Sequence, residues 1–238
     1  MEELRAHIQL KKTDAVEDAI IVGDPARVDQ VAKFLTEFIE LKYNREFRSL
    51  RGTYKNKEVL VLSTGVGAPS AAIAIEELHN IGVKRIIRVG SAGALQLGIG
   101  LGNPIIGEGA VRDDGLTKMY VREEYPAVPS STLLAKAKEI APEAIYGIIR
   151  SHDGFYMDNN EQTQEYWSNF GLIGEDMESG ALFTVGRLRG IETLSILNNV
   201  VAYKEDLQAG VNDLVSGDDK VIEGEKRTIE IALEVLNK

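Results

Sequence analysis

The chain is 238 residues long, 44% hydrophobic and 27% charged, with a net charge of −10 and no cysteine. Its length and apolar content suffice for one sizeable core, so residues 1–238 are read as a single domain. Missing thiols exclude disulfides, thiolate catalysis and zinc–cysteine sites, and the acidic balance disfavours nucleic acid and anionic membranes as partners.

No window approaches about 18 uninterrupted apolar residues, so no transmembrane helix is expected. The acidic start Met1-Glu2-Glu3-Leu4-Arg5 lacks an apolar signal core, which points to a cytoplasmic protein.

In chain order, Ala19-Ile20-Ile21-Val22 reads as a strand stopped by Gly23, and Asp24-Pro25 opens a helix running to position 34. Residues 58–63 read as a buried strand ending at Gly65-Val66-Gly67. Pro69 then starts a helix that turns Ala72, Ile73, Ile75 and Leu78 toward the core. Residues 85–89 form another strand, again closed by glycine. Further strands are predicted over 104–112, 145–151 and 192–201, and helices over 132–140, 176–189 and 220–236. This alternation predicts an α/β fold, a mixed but largely parallel central sheet with helices on both faces. Ligands of such sheets gather beyond the carboxyl ends of the strands, where the loops at Gly23, Gly65, Gly90 and Ser151 should converge.

Arginines sit beside glycine-rich or turn-rich punctuation at Gly23-Asp24-Pro25-Ala26-Arg27, Asn44-Arg45-Glu46-Phe47 and Arg88-Val89-Gly90-Ser91-Ala92-Gly93. Guanidinium groups beside bare backbone N–H donors are what a buried phosphate requires. Gly23–Arg27 taken alone fits an ordinary strand-to-helix turn equally well. Arg88 closes an apolar strand, where an unpaired guanidinium is costly, so it needs a carboxylate or a ligand anion.

Asp176-Met177-Glu178-Ser179 offers carboxylates able to grip sugar hydroxyls, although one of them is also an ordinary helix cap. Phe155-Tyr156 suits either packing or stacking on a flat base. Gly65-Val66-Gly67 lacks the third glycine of a dinucleotide fingerprint, and His7, His79 and His152 show no metal-ligand spacing. Lys204-Glu205-Asp206 reads as a solvated loop.

Taken together, these segments resemble the hexameric class of nucleoside phosphorylases, the family of uridine phosphorylase and the bacterial-type purine nucleoside phosphorylases. The likeness runs through Gly23-Asp24-Pro25-Ala26-Arg27-Val28, Asn44-Arg45-Glu46-Phe47, the stretch from Ser63 to Ser70, the stretch from Arg88 to Leu95, Tyr125-Pro126-Ala127-Val128 and Asp176-Met177-Glu178-Ser179. It implies a phosphate held by Gly23, Arg27, Arg88 and Ser91, with Arg45 donated by a neighbouring subunit. It implies a ribose held by Met177, Glu178 and Ser91, with a donated His7, and makes Arg88 and Glu178 the catalytic pair. Phe155 would face the base. The implied assembly is a homo-oligomer with shared sites, a hexamer built as a trimer of dimers, acting on a nucleoside and phosphate. Phosphate is then a co-substrate and no cofactor is required. Glu46, Val66 and Ser70 match positions that hold a monovalent cation, a structural K+, at the dimer interface of uridine phosphorylases.

The base is less defined. Purine members place a Ser-Asp pair where Val200 and Val201 stand, and this apolar pair resembles the uridine enzymes. Those enzymes hold uracil with a Gln and an Arg, where this chain has Asn159 and Glu161. Uridine is placed ahead of purine nucleosides. The rivals are a hydrolytic nucleosidase, which needs no phosphate arginines, and a non-catalytic nucleoside-binding protein.

Overall fold

The computed structural model describes residues 3–205 and 219–238. Met1, Glu2 and Asp206, used in the sequence reading, lie outside the described residues.

Strand β1 (Asp18–Val22) is buried along its whole length. Ile20 and Val22 join one hydrophobic cluster, Ala19 and Ile21 another, as expected of a strand covered on both sides. It runs parallel to β4 (Lys57–Ser63) and to β5 (Arg85–Ala94). β9 (Glu192–Val201) lies parallel to β5. Beyond β4 come β3 (Phe47–Tyr54) and β2 (Thr36–Asn44), joined as an antiparallel hairpin.

The other strands close on themselves. β6 (Pro104–Asp113), β7 (Ile145–His152) and the short β8 (Gly174–Asp176) are mutually parallel neighbours. β6 pairs antiparallel with β9, and β8 pairs antiparallel with β5 at Gly93 and Ala94. Strands β5, β8, β7, β6 and β9 therefore form a ring within the nine-stranded sheet.

Helices cover both faces. Val28 and Val31 of α1 (Arg27–Ala32), Leu133 of α4 (Ser131–Ile140) and Ile229 and Leu233 of the C-terminal helix (Asp219–Asn237) pack on one side. Ile75 and Leu78 of α2 (Ala68–Ile81), Leu116 of the short α3 (Leu116–Tyr120), and Leu182 and Phe183 of α6 (Ser179–Leu188) pack on the other. Each such buried side chain contributes about 1.5–3 kcal/mol of apolar transfer free energy. No helix among the described residues is long and apolar enough to cross a membrane.

The structure departs from the sequence reading at several places. β5 does not stop at Val89 but runs to Ala94, because β9 and β8 pair with its last residues. Residues 174–176 form β8 rather than the start of a helix, and α6 begins only at Ser179. α1 is six residues long and starts at Arg27, so the turn before it has a weak helix dipole at most. The hairpin β2–β3 and the polar helix α5 (Asn160–Asn169) were not expected at all.

Candidate active site

A cleft of about 470 Å³ opens at the carboxyl ends of β1, β4 and β5, edged by β7, β8 and β9. The predicted convergence of loops is visible in the backbone: Thr64 N–H donates to Val22 O at 2.8 Å and Gly65 N–H to Gly23 O at 2.9 Å. Gly23, Arg27, Arg88, Ser91, Met177 and Glu178 all line this cleft, as do Phe155, Val200, Val201 and Val66.

Arg88 is 4% exposed and answers the question its position raised. Its Nε donates to Asp176 Oδ2 at 3.0 Å and its Nη2 lies 2.6 Å from Glu178 Oε2. Burial works against the guanidinium charge, but Glu178 and Asp176 outweigh it and raise the pKa above the ordinary value. Gly90 supplies the room. A Cβ there would sit 2.5 Å from Arg88 Cζ, so only glycine lets the guanidinium fold back over its own strand.

Glu178 sits between two positive features. One is Arg88; the other is the N-terminus of α2, where Gly67 N–H donates to Glu178 Oε1 at 2.6 Å. Gly67 has a φ of 97°, a left-handed backbone that glycine adopts without strain, and this aims the N–H at the carboxylate. Burial still dominates and pushes the Glu178 carboxyl above the usual range; Arg88 pulls it down and Asp176 adds to the rise. Asp176 is fixed in turn by Ser179, whose N–H and Oγ both donate to it, and Ser179 Oγ meets Ser195 Oγ at 2.6 Å.

Arg27 reaches the same space from the opposite wall. Its Nη2 donates to Ser91 Oγ at 3.0 Å and its Nε to Glu225 Oε1 of the C-terminal helix at 2.6 Å. Arg27, Ser91 and Arg88 thus present donors to one region, and both guanidinium groups are braced by carboxylates.

Two cleft residues were missed as site residues by the sequence reading: His152 and Glu175. The parallel register of β7 with β8 sets Arg150 opposite Glu175 and Ser151 opposite Asp176. Arg150 Nη1 donates to Glu175 Oε2 at 2.9 Å, Gln164 Nε2 donates to Glu175 Oε1 at 2.6 Å, and His152 Nε2 lies 3.6 Å from Glu175 Oε2. Burial is the main influence on His152 and lowers its pKa, keeping the ring neutral near neutral pH. The only advance signal was a histidine at the end of an apolar strand.

Other expected residues are not brought into this cleft. Arg45 is exposed at the tip of the β2–β3 hairpin, with a φ of 56° and no ion pair among the described residues. A non-glycine residue held there costs on the order of 1 kcal/mol. His7 is bound elsewhere: its Nδ1 lies 2.8 Å from Glu77 Oε1, and its carbonyl accepts from Asn44 Nδ2 at 2.8 Å.

Glu46 and Ser70 do meet, Ser70 Oγ donating to Glu46 Oε1 at 3.3 Å and also touching Thr64 O. Val66 is on the adjoining loop and 74% exposed. The base clamp expected from Asn159 and Glu161 is not assembled within one chain. Asn159 immediately precedes α5 and makes no side-chain cap bond, and Glu161, in the first turn, faces a separate polar depression with Gln164 and Lys204.

Comparison with known proteins gives a consistent picture. The family model described as "Phosphorylase superfamily" matches residues 17–236. A guanosine phosphorylase of Halorubrum lacusprofundi is 33% identical over 233 residues, covering 96% of this chain and 95% of the relative. A crystal structure of uridine phosphorylase from Vibrio fischeri ES114 superposes with a TM-score of 0.92 at 42% identity, covering 98% of this chain and 97% of that one. A purine nucleoside phosphorylase of Toxoplasma gondii, in complex with immucillin-H, gives 0.88 at 34% identity, covering 99% and 95%.

Proposed function

The chain belongs to the phosphorylase superfamily, and we propose that it is a nucleoside phosphorylase that cleaves a ribonucleoside with phosphate, uridine being its first substrate. The observation that carries this reading is the convergence of Arg27, Ser91 and Arg88 beside Glu178 in one cleft. A water-using nucleosidase has no need of two inward guanidinium groups.

In the reaction the C1′–N bond breaks with its electron pair leaving on the base, and a phosphate oxygen forms the C1′–O bond. The proton carried by hydrogen phosphate ends on the released base. Arg27 and Arg88 hold the phosphate against the ring face opposite the base, where its charge stabilises the cationic sugar. Glu178 and Met177 hold the ribose, with Glu178 accepting from its hydroxyls. Positioning and fixed charge then supply most of the acceleration. Phe155, Val200 and Val201 give the base an apolar seat.

Arg45 and His7 complete the site only if a second copy donates them, so the working unit is at least a dimer and the hexamer extends it. The Arg45 turn supports this: its backbone is strained while its side chain is exposed. The oxygens of Glu46 and Ser70 and the carbonyl of Thr64 suit a monovalent cation, and a second copy would complete its shell.

The apolar Val200-Val201 wall and the 42% identity to a uridine phosphorylase favour uridine. A guanosine-cleaving reading is favoured instead by the Halorubrum relative, which spans nearly the whole chain. The test is base release from uridine, thymidine, inosine, guanosine and adenosine with and without phosphate. Release that is equally fast without phosphate refutes the phosphorylase reading.

A further inference from the structure

The base-facing part of the cleft contains a polar pair that the reaction above does not use. His152 and Glu175 both line the cleft together with Phe155, Val200 and Val201, and their side chains are 4% and 3% exposed. Nε2 of His152 faces Glu175 Oε2 at 3.6 Å, and its other ring nitrogen, Nδ1, is buried with no hydrogen-bond partner among the described residues.

The charge around the ring fixes its tautomer. A neutral imidazole has one N–H and one lone pair. Placing the lone pair on Nε2 would set it against the Glu175 carboxylate; placing the hydrogen there gives attraction. Nδ1 is left as an acceptor. The charged groups acting on this ring are Glu175, Asp176 and Asp113, which favour protonation, and Arg150, which opposes it together with burial. Arg150 is itself anchored, its Nε donating to Asp113 Oδ2 at 2.8 Å. Glu175 is likewise held by Arg150 and Gln164, so its carboxylate is not free to turn away.

Two acceptors, a carboxylate and an imidazole lone pair, therefore make up the polar character of this end. From this juxtaposition, and resting on the nucleoside phosphorylase reading, we infer that His152 is a specificity-determining residue that accepts a ring N–H of the base. The chemical class it selects is the lactam bases: uracil and thymine, which carry N3–H, or guanine and hypoxanthine, which carry N1–H. Cytosine and adenine present a lone pair at those ring positions, so lone pair would meet lone pair. A site that holds a substrate N–H through a buried acceptor rejects the analogue lacking it far more strongly than an apolar pocket rejects a missing methylene. Glu175 acts through His152 and is a positioning residue.

The test measures kcat/KM of the full-length protein, with saturating phosphate, for uridine against cytidine and guanosine against adenosine. Within whichever ring size is cleaved, the lactam nucleoside is expected to lead by about 100-fold or more. Two probes need no variant: 3-methyluridine and 1-methylguanosine, whose ring N–H is replaced by a methyl group, should react as poorly as cytidine and adenosine. In His152→Phe the lead should shrink to within about tenfold, and lowering the pH far enough to protonate His152 should shrink it in the wild type, because Nδ1 then becomes a donor.

Equal rates on lactam and amino nucleosides, or a preference that survives His152→Phe, overturn the inference and leave the phosphorylase reading standing. Absence of phosphate-dependent cleavage of every nucleoside overturns both.

Discussion

Arg88 Nη2 lies 2.6 Å from Glu178 Oε2, so the group that would bind phosphate and the group that would bind ribose neutralise one another across the cleft. In the proposed reaction each substrate would compete with a residue that serves the other. Phosphate approaching Arg88 would displace Glu178, and Glu178, once released, would be available to sugar hydroxyls. The two binding events would then be coupled through one ion pair.

The first prediction follows from that coupling. Glu178→Gln keeps the shape but removes the charge that competes for Arg88. Phosphate alone should bind several-fold more tightly, while kcat/KM for the nucleoside falls by about 100-fold or more. Calorimetric titration with phosphate, beside steady-state kinetics, checks both halves. Weaker phosphate binding in the variant would separate Glu178 from the anion site.

Gly90 gives a gentler probe of Arg88. Its φ is not in the left-handed region, so Gly90→Ala strains no backbone, yet the new methyl would lie 2.5 Å from Arg88 Cζ and Nη2. The far end of a flexible side chain moves more readily than a strand does. The variant should melt close to wild type, within about 1 kcal/mol, and its KM for phosphate should rise by roughly tenfold or more. A large loss of stability with normal phosphate use would show that the strand, not the guanidinium, gives way.

Arg88→Ala is the harsher change. It strips Asp176 and Glu178 of their cation while both stay buried, at a cost of about 3–5 kcal/mol near neutral pH. Burial already raises the Glu178 carboxyl, and the variant loses the Arg88 charge that opposes the rise. Its favourable contribution is present below the unfolded pKa and lost as pH rises through the folded one, so the deficit should narrow on acidification. Thermal melts of wild type and variant between about pH 8 and pH 5 measure the gap. A gap that stays constant or widens toward acid refutes this account.

How far the chain could be read in advance depended on whether a feature is local. β1 and β4 were legible because their central residues are apolar on both faces, and the C-terminal helix because its periodicity is strong. β2 was not: nearly all its residues are exposed, so no alternation marks it. β8 has three residues and exists only through its pairing with β5 and β7. The site divides in the same way. Arg27 and Arg88 betrayed themselves by standing close to the glycines that punctuate apolar runs, and Asp176 and Glu178 by crowding two charges into an apolar run. His152 and Glu175 are 23 positions apart, and only the β7–β8 register brings them together. Asn159 and Glu161 were placed by analogy with position after Phe155, and the start of α5 turns Glu161 toward another surface.

His152 also predicts an acid sensitivity of the fold. Burial lowers its pKa, so the folded value lies below the unfolded one of about 6.5. The associated stability is complete above the unfolded pKa and lost as pH falls through that value and toward the folded pKa. Glu178, raised by burial, has the opposite sign: its contribution is complete below the unfolded carboxyl pKa and lost as pH rises past the folded one. In melts from about pH 7 downward, His152→Asn should show a flatter decline than wild type. Parallel curves would show that the histidine does not titrate differently in the folded and unfolded states.

The shared site is tested by mixing two inactive proteins. If Arg45 serves the neighbouring cleft, Arg45→Ala and Arg88→Ala each disable every site of their own homo-oligomer. In a mixed dimer, the chain with intact Arg88 receives an intact Arg45 from its neighbour, and the other cleft lacks both. Random assembly then makes half the dimers mixed, with one working cleft each, so co-expression should restore about a quarter of wild-type activity. Arg45→Ala is the informative half, because the residue is exposed and its loss should leave melting nearly unchanged. If co-expression restores nothing while each variant still assembles, Arg45 acts on no neighbouring cleft. If Arg45→Ala is fully active, it has no part in phosphate binding.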